Sequence, residues 1–250
     1  MPAVLDIKNV AKEFRQEGKV IKILNNINFT IKEHEFLAIL GPAGCGKSTL
    51  LRIIMGLTQP TRGDVIYHGN RVTAVDPSMA MVFQSFALLP WLNVVENVEL
   101  GLEAQGMKKE FRRIKALRMI QEVGLEGFEG AYPRELPADM KQRVDLARAL
   151  VTDPEVLLMD EPFSAMDPLM AEGLREEVVN LWSDKYVRPE IVIMITHNIE
   201  EAVYLADRII VLTQRPSQVA REVTINLARP RERRSNDVYN IIDEITALIA

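Results

Sequence analysis

The octet Gly41-Pro42-Ala43-Gly44-Cys45-Gly46-Lys47-Ser48 is a complete G-x-x-x-x-G-K-[ST] phosphate loop, set between the apolar run Phe36 to Leu40 and the helix-favouring run Leu50 to Met55. A chain with this pattern must place a buried strand, a glycine turn and a helix start in immediate succession. The residue types answer to the chemistry of a polyphosphate. Backbone N–H groups have to converge on the anion, glycines let the chain wrap closely enough, and the helix that follows presents its positive end. Lys47 then reaches the β and γ phosphates, and Ser48 offers its hydroxyl to Mg2+. A glycine turn without a ligand is the plain alternative, and the strand before and helix after it argue for the nucleotide.

The rest of the composition narrows the class. With 250 residues, 48% of them hydrophobic and 26% charged, the chain is able to bury a substantial core as one large domain or two small lobes. A formal net charge of -5 argues against nucleic acid as a partner, because tracking phosphates along a duplex needs a basic surface. The one basic stretch, Arg229 to Arg234, reads as a solvated tail segment, with contact to anionic lipid or a partner as the other option. The single cysteine, Cys45, lies in the phosphate loop, so no intrachain disulfide is expected and an intracellular location is. It reads as a loop filler and not as a redox switch. No N-terminal signal pattern is evident, and runs such as Ile191 to Ile195 fall far short of the ~20 apolar residues that span a bilayer. Any membrane role is therefore expected to come through a partner.

Periodicity gives the order of elements. Val4 to Val10, Ile27 to Ile31 and Asp64 to His68 alternate apolar and polar residues, as half-buried antiparallel strands do. Val94 to Leu102 and Phe111 to Val123 carry helical spacing, the second through Phe111, Ile114, Leu117 and Ile120, and together they predict an amphipathic helical insert. A third helix is expected over Asp139 to Val151. Val156 to Met159, Ile191 to Ile195 and Arg208 to Thr213 are nearly continuous apolar runs, suited to strands buried on both faces of a parallel sheet. Helices at Leu169 to Trp182 and Ile199 to Ala206 separate them. Beyond about Gln214 the pattern is less regular and closes on a helix near Val238 to Ile249. The expected fold class is α/β: a P-loop NTPase core of mostly parallel sheet, an N-terminal antiparallel β subdomain and an inserted helical subdomain.

A second constellation accompanies the loop. The run Val156 to Met159 ends in Asp160 and Glu161. An aspartate at the carboxyl end of a parallel strand holds Mg2+, and the glutamate after it orients or deprotonates the attacking water. Alone, two acids closing an apolar run are as readily explained by strand-end solvation. His197 ends another buried run and is placed to donate to a γ phosphate; by itself it is more often a turn residue. Gln84 follows the run Met79 to Phe83 and is positioned to sense metal and phosphate. Phe14 either stacks on an adenine face or packs in the core.

Taken in order, these motifs resemble the nucleotide-binding subunits of ATP-binding cassette (ABC) transporters over residues 3 to 215. The matching elements are the Walker A loop at Gly41 to Ser48, the glutamine loop at Gln84, the Walker B strand with Asp160 and Glu161, the loop Ser164 to Asp167 and the switch His197. The stretch Val82 to Val98 looks particularly like the subunits serving nitrate, sulfonate, taurine and bicarbonate importers. The resemblance implies ATP and Mg2+ as ligands, ATP hydrolysis that drives import of a small solute, and catalytic roles for Glu161, His197 and Gln84. It assigns metal binding to Ser48, Gln84 and Asp160, and nucleotide binding to Phe14 and Gly41 to Thr49. It further implies transmembrane permease subunits, a second cassette in a homodimer or heterodimer, an indirect link to a substrate-binding protein, and a peripheral place on the cytoplasmic face of a bacterial inner membrane. In such subunits Leu88 to Leu92 would receive a coupling helix of the permease, although Trp91 packed inside the lobe is an alternative. The implied division is a cassette over 1–215, with 1–84 and 145–215 as ATP-binding core and 85–144 as helical subdomain, followed by a tail over 216–250.

One motif departs from the family. Where it carries a Leu-Ser-Gly-Gly signature turn, this chain reads Leu136, Pro137, Ala138, Asp139, Met140. Pro137 supplies neither hydroxyl nor N–H. Asp139, expected as the helix N-cap, puts a carboxylate where the opposite subunit's γ phosphate would approach, and two anions about 4 Å apart at an effective dielectric near 20 repel by several kcal/mol. A homodimer would carry two such sites and a heterodimer one. The alternative expectation is a hydrolysis-impaired, regulatory cassette in an asymmetric complex, against a plain helix-starting turn whose lost contacts are tolerated or replaced by Lys141 or Arg143.

Overall fold

The computed structural model describes residues 3–16, 18–164, 166–183, 189–229, 231–232 and 235–249. The chain divides into two compact units, one of residues 1–76 and 191–250, the other of residues 77–190.

In the first unit the alternating segments form β1 (Ala3–Gln16) and β2 (Lys19–Lys32), paired antiparallel, with β4 (Arg62–Tyr67) and β5 (Asn70–Arg71) extending the sheet in the order β2-β1-β4-β5. Its inward residues include Leu5, Ile7, Val10, Ile27 and Ile31, all buried. The continuous apolar run before the phosphate loop becomes β3 (Phe36–Leu40), every residue of it buried. It lies between two parallel neighbours, β8 (Ile191–Thr196), with Phe36 opposite Val192, and β9 (Arg208–Leu212), with Leu37 opposite Arg208. This is the two-sided burial that a run of β-branched and aliphatic residues requires. The helices of the unit are α1 (Lys47–Ile54), α6 (Ile199–Leu205) and α7 (Asn236–Ile249).

Beyond Gln214 the chain is more regular than its composition suggests. Val219–Thr224 form β10, antiparallel to β9. Buried Arg231 then donates to the carbonyls of Val203 and Ala206, each at 2.6 Å, and so caps the C-terminal end of α6. Burial and the neighbouring Arg229, opposed by Asp207, bring the Arg231 pKa down to about 10. Of the basic stretch, residues 230, 233 and 234 lie outside the described residues, but the solvated reading fails for Arg231.

The second unit holds β6 (Met79–Val82), parallel to β7 (Val156–Asp160), and the helices α2 (Val94–Ala104), α3 (Lys109–Glu122), α4 (Ala138–Leu150) and α5 (Pro168–Ser183). A capping box between Asn93 and Glu96 starts α2. Val98, Leu102, Ala116, Ile120, Val144 and Ala147 form the shared core of α2, α3 and α4. On α3 the expected face is corrected. Phe111, Ile114 and Leu117 are 63%, 66% and 41% exposed, and the core is met by Ala116, Ile120 and, just past the helix, Val123. The cause is a buried acid: Glu99 of α2, 3% exposed, pairs with Arg112 and Arg113, which turns the arginine side of α3 inward and the Phe111 stripe outward.

Candidate functional site

In the first unit, the phosphate loop leaves β3 and enters α1 through Gly46, which is the N-cap with φ 118° and ψ 13°. An L side chain rarely adopts that φ, and a Cβ at Gly46 would stand 2.7 Å from Ile23 Cγ2. No side chain caps α1 and no acid lies in its first turn, which suits the positive end of the helix to an anion. Lys47 is 5% exposed, and its ammonium donates to the carbonyls of Gly41 at 2.8 Å and Pro42 at 3.2 Å. Cys45 is buried and its N–H closes the loop onto the Pro42 carbonyl at 3.2 Å. Ser48 and Thr49 are half-buried in the first turn of α1.

Also in this unit, Phe14 lies on β1 and is 45% exposed, with Lys12 Nζ 5.1 Å from its ring centroid. That exposure rules out core packing and leaves a ring face for stacking. His197 is exposed directly after β8. Its surroundings are fixed: Thr196 Oγ1 donates to Glu201 Oε2 at 2.8 Å, the Asn198 N–H donates to Thr196 Oγ1 at 3.0 Å, and Asn198 Oδ1 caps α6 through the Glu201 N–H at 3.2 Å.

In the second unit, buried Asp160 closes β7 and Glu161 follows in the left-handed region at φ 48°. Such a conformation in a non-glycine residue is sustained only where neighbours impose it. Here Gln84 Nε2 donates to Glu161 Oε2 at 3.2 Å, and the Ser164 hydroxyl donates to the Glu161 carbonyl at 2.9 Å. Gln84, Asp160 and Glu161 are thus brought together in this unit, as their positions at strand ends suggest. Asp167 accepts from the Met170 N–H at 3.1 Å at the start of α5; Ala165 of the same loop lies outside the described residues.

The departing signature turn is corrected in detail. Pro137 is the N-cap of α4, and Asp139 is the second residue of the helix, half-buried. Asp139 therefore does not consume the N–H groups as a cap, while its carboxylate still stands in the first turn. Trp91 is 69% exposed, which excludes the packed alternative. Beneath it, fully buried Asn97 holds the backbone of Leu89 and Leu92 by hydrogen bonds of 2.9 to 3.2 Å.

Two groups escaped sequence reasoning. Fully buried Asp145 on α4 accepts from the Phe83 N–H at 2.8 Å and pairs with Arg148, whose guanidinium donates to the carbonyls of Phe86 at 2.8 Å and Ala87 at 2.7 Å. Phe86 and Ala87 have φ of 63° and 46°, so α4 imposes the shape of the loop that carries Gln84. Burial pushes the Asp145 pKa up to about 6 against the pull of Arg148 and the Phe83 N–H. Arg215 and Ser217 are the second group, both bonded to the phosphate loop. Sequence gave no signal for either, because neither belongs to a spaced motif.

The model of the ABC transporter family matches residues 24–164. An uncharacterized ABC transporter ATP-binding protein of Methanocaldococcus jannaschii is 46% identical over 94% of this chain and 87% of its own length. The nitrate import ATP-binding protein of Synechocystis sp. is 42% identical over 98% of this chain and 94% of its own. Other relatives are named for import of aliphatic sulfonates, bicarbonate and taurine. Among solved structures, the dimer of an ATP-binding cassette in a post-hydrolysis state with ADP and Pi superposes with TM-score 0.79 at 34% identity, covering 90% of this chain and all of that one.

Proposed function

The chain belongs to the ABC transporter family, and on that premise we propose that it is the ATP-hydrolysing subunit of an importer for a small anion of the nitrate, sulfonate, taurine or bicarbonate type. The observation that carries the nucleotide part is the phosphate loop, with its left-handed Gly46, uncapped α1 and inward Lys47. The anion part is supported by the names of the relatives and by the run Val82 to Val98.

In this reading the loop N–H groups from Gly41 to Thr49 and the Lys47 ammonium hold the triphosphate, and Phe14 stacks on the adenine. The hydroxyl of Ser48 in the first unit, and the amide oxygen of Gln84 and the carboxylate of Asp160 in the second, are each hard oxygen donors of the kind Mg2+ accepts, and the family resemblance gives each of them to the ion. When bound, Mg2+ supplies charge neutralisation across the phosphate oxygens. Glu161 orients and accepts a proton from the attacking water, and its bond from Gln84 fixes the carboxylate for that task. His197 donates to the terminal phosphate.

Residues 1–215 would make the cassette, with 85–144 as its helical subdomain, and residues 216–250 would follow as a tail that is anchored to the first unit through Ser217, β10 and Arg231. No helix among the described residues is long and apolar enough to cross a membrane. Membrane association would come through a permease docking at Leu88 to Leu92, where exposed Trp91 offers apolar surface, and the cassette would act as a dimer on the cytoplasmic face. The hydrolysis-impaired alternative rests on the altered turn at Pro137 to Asp139 alone, and neither the rest of the site nor the relatives add support to it. Phosphate release from Mg-ATP by the full chain is the test: Glu161→Gln should lower kcat by about 100-fold or more while KM stays within a few-fold. An unchanged kcat would remove Glu161 from this role.

A further inference from the structure

Residues 213–218 turn between β9 and β10 and meet the phosphate loop from outside its motif. The turn is closed on itself, the Thr213 N–H donating to the Gln218 carbonyl and the Gln218 N–H to Thr213 Oγ1, both at 3.0 Å. It is also pinned to β2: the Ser217 N–H donates to the Ile23 carbonyl, and the Ser217 carbonyl accepts from the Asn25 N–H, each at 2.8 Å. From this anchored position Arg215 Nε donates to the Gly44 carbonyl, and the fully buried Ser217 hydroxyl donates to the Cys45 carbonyl. Gln214 and Arg215 share with Pro42, Ala43, Gly44 and Cys45 the wall of a cavity of about 520 Å³.

A peptide plane is rigid, and in a trans unit the N–H points opposite to the carbonyl. Holding the Gly44 carbonyl therefore fixes the direction of the Cys45 N–H, which closes the loop onto Pro42. Holding the Cys45 carbonyl fixes the Gly46 N–H on the side away from Ser217. Two consecutive planes of the loop are set by side chains that lie 171 and 172 residues further along the chain. Ile23, whose carbonyl receives Ser217, also presses its side chain against Gly46.

We propose that Arg215 and Ser217 are positioning residues that hold the phosphate loop in its anion-receiving shape before a nucleoside di- or triphosphate arrives. This rests on the reading of the loop as the nucleotide site. In this role the two side chains preorganise the loop and touch no reacting atom, so their loss acts on affinity and not on the chemical step. The polyphosphate common to ATP and ADP is what the loop grips, so both nucleotides are affected equally.

The test compares the full-length parent with Arg215→Met, Arg215→Lys, Ser217→Ala and Lys47→Ala, measuring Mg-ATP turnover and Mg-ADP affinity. A tenfold loss of affinity corresponds to about 1.4 kcal/mol of lost preorganisation. Arg215→Met is expected to raise KM for Mg-ATP and Kd for Mg-ADP by about tenfold each, with kcat within about twofold, and Ser217→Ala to act in the same sense. Arg215→Lys, which keeps a donor, should recover most of the loss. Arg215 is exposed, so its variants keep the fold even where Ser217→Ala does not. The proposal is overturned if Arg215→Met leaves both affinities unchanged while Lys47→Ala loses nucleotide, or if kcat falls at constant KM. Should the parent itself bind no nucleotide, the site reading falls first and this inference with it.

Discussion

Gly46 is the residue on which the phosphate loop turns. Its φ of 118° and the 2.7 Å that would separate a Cβ from Ile23 leave no room for a side chain. Gly46→Ala should destabilise the fold by about 1–3 kcal/mol in urea unfolding and weaken Mg-ATP binding at the same time; a variant with parental stability and affinity would show that the loop relaxes freely. Single residues of the site were legible wherever the chemistry demands a fixed local spacing, as at Gly41 to Ser48 or at the paired acids 160 and 161. Arg215 and Ser217 were not, because they reach the same loop from far along the chain and only the folded turn brings them there. Asp139 was half legible. Its acidity is in the sequence, but its place inside the first turn of α4 depends on Pro137 taking the cap.

At the level of elements, helix α4 is the organiser of the second unit. Its Asp145 and Arg148 hold the loop after β6, and its Val144 and Ala147 join the core of α2 and α3. With a folded pKa of about 6 against an ordinary 3.8, Asp145 favours the folded state most at low pH, and that contribution fades as pH rises from about 4 through about 6. The integrated effect is about 3 kcal/mol at 1.36 kcal/mol per unit. An NMR titration should place the carboxyl midpoint near 6, and Arg148→Met should move it higher while destabilising the fold by about 3 to 5 kcal/mol, since a buried charge loses its partner. A midpoint near 4 in the parent would contradict the burial argument. The strands were legible as elements because parallel burial leaves unbroken apolar runs such as Val156 to Met159 and Ile191 to Ile195. Helix α3 was legible as a helix but not in its orientation: the Phe111, Ile114, Leu117 stripe has the right period, yet Glu99 draws the arginines inward instead. Strand β10 went unseen because only Val223 among its residues is buried.

For the molecule as a whole, membership of the ABC transporter family fixes the kind of machine, and the altered turn at Pro137 to Asp139 is the place to test its rate. In a homodimer both sites would carry Pro137 and Asp139 of the facing chain, so the paired change Pro137→Ser and Asp139→Gly should raise the ATPase rate of the purified protein severalfold. An unchanged rate would mean that Lys141 or Arg143 replaces the lost contacts or that the turn stays clear of phosphate. The architecture of a mostly parallel sheet with an antiparallel sheet was readable because motif order and strand texture agree. The anchoring of the C-terminal segment through β10 and Arg231 was not, since it is made of backbone pairing and one buried guanidinium.

The central claim is that a nucleoside triphosphate is gripped by the loop built around Lys47. A calorimetric titration of the full chain with Mg-ATP measures this directly. Saturable binding in the parent, abolished by Lys47→Ala, is the predicted result. Absence of heat in the parent, or equal affinity in parent and Lys47→Ala, would contradict it.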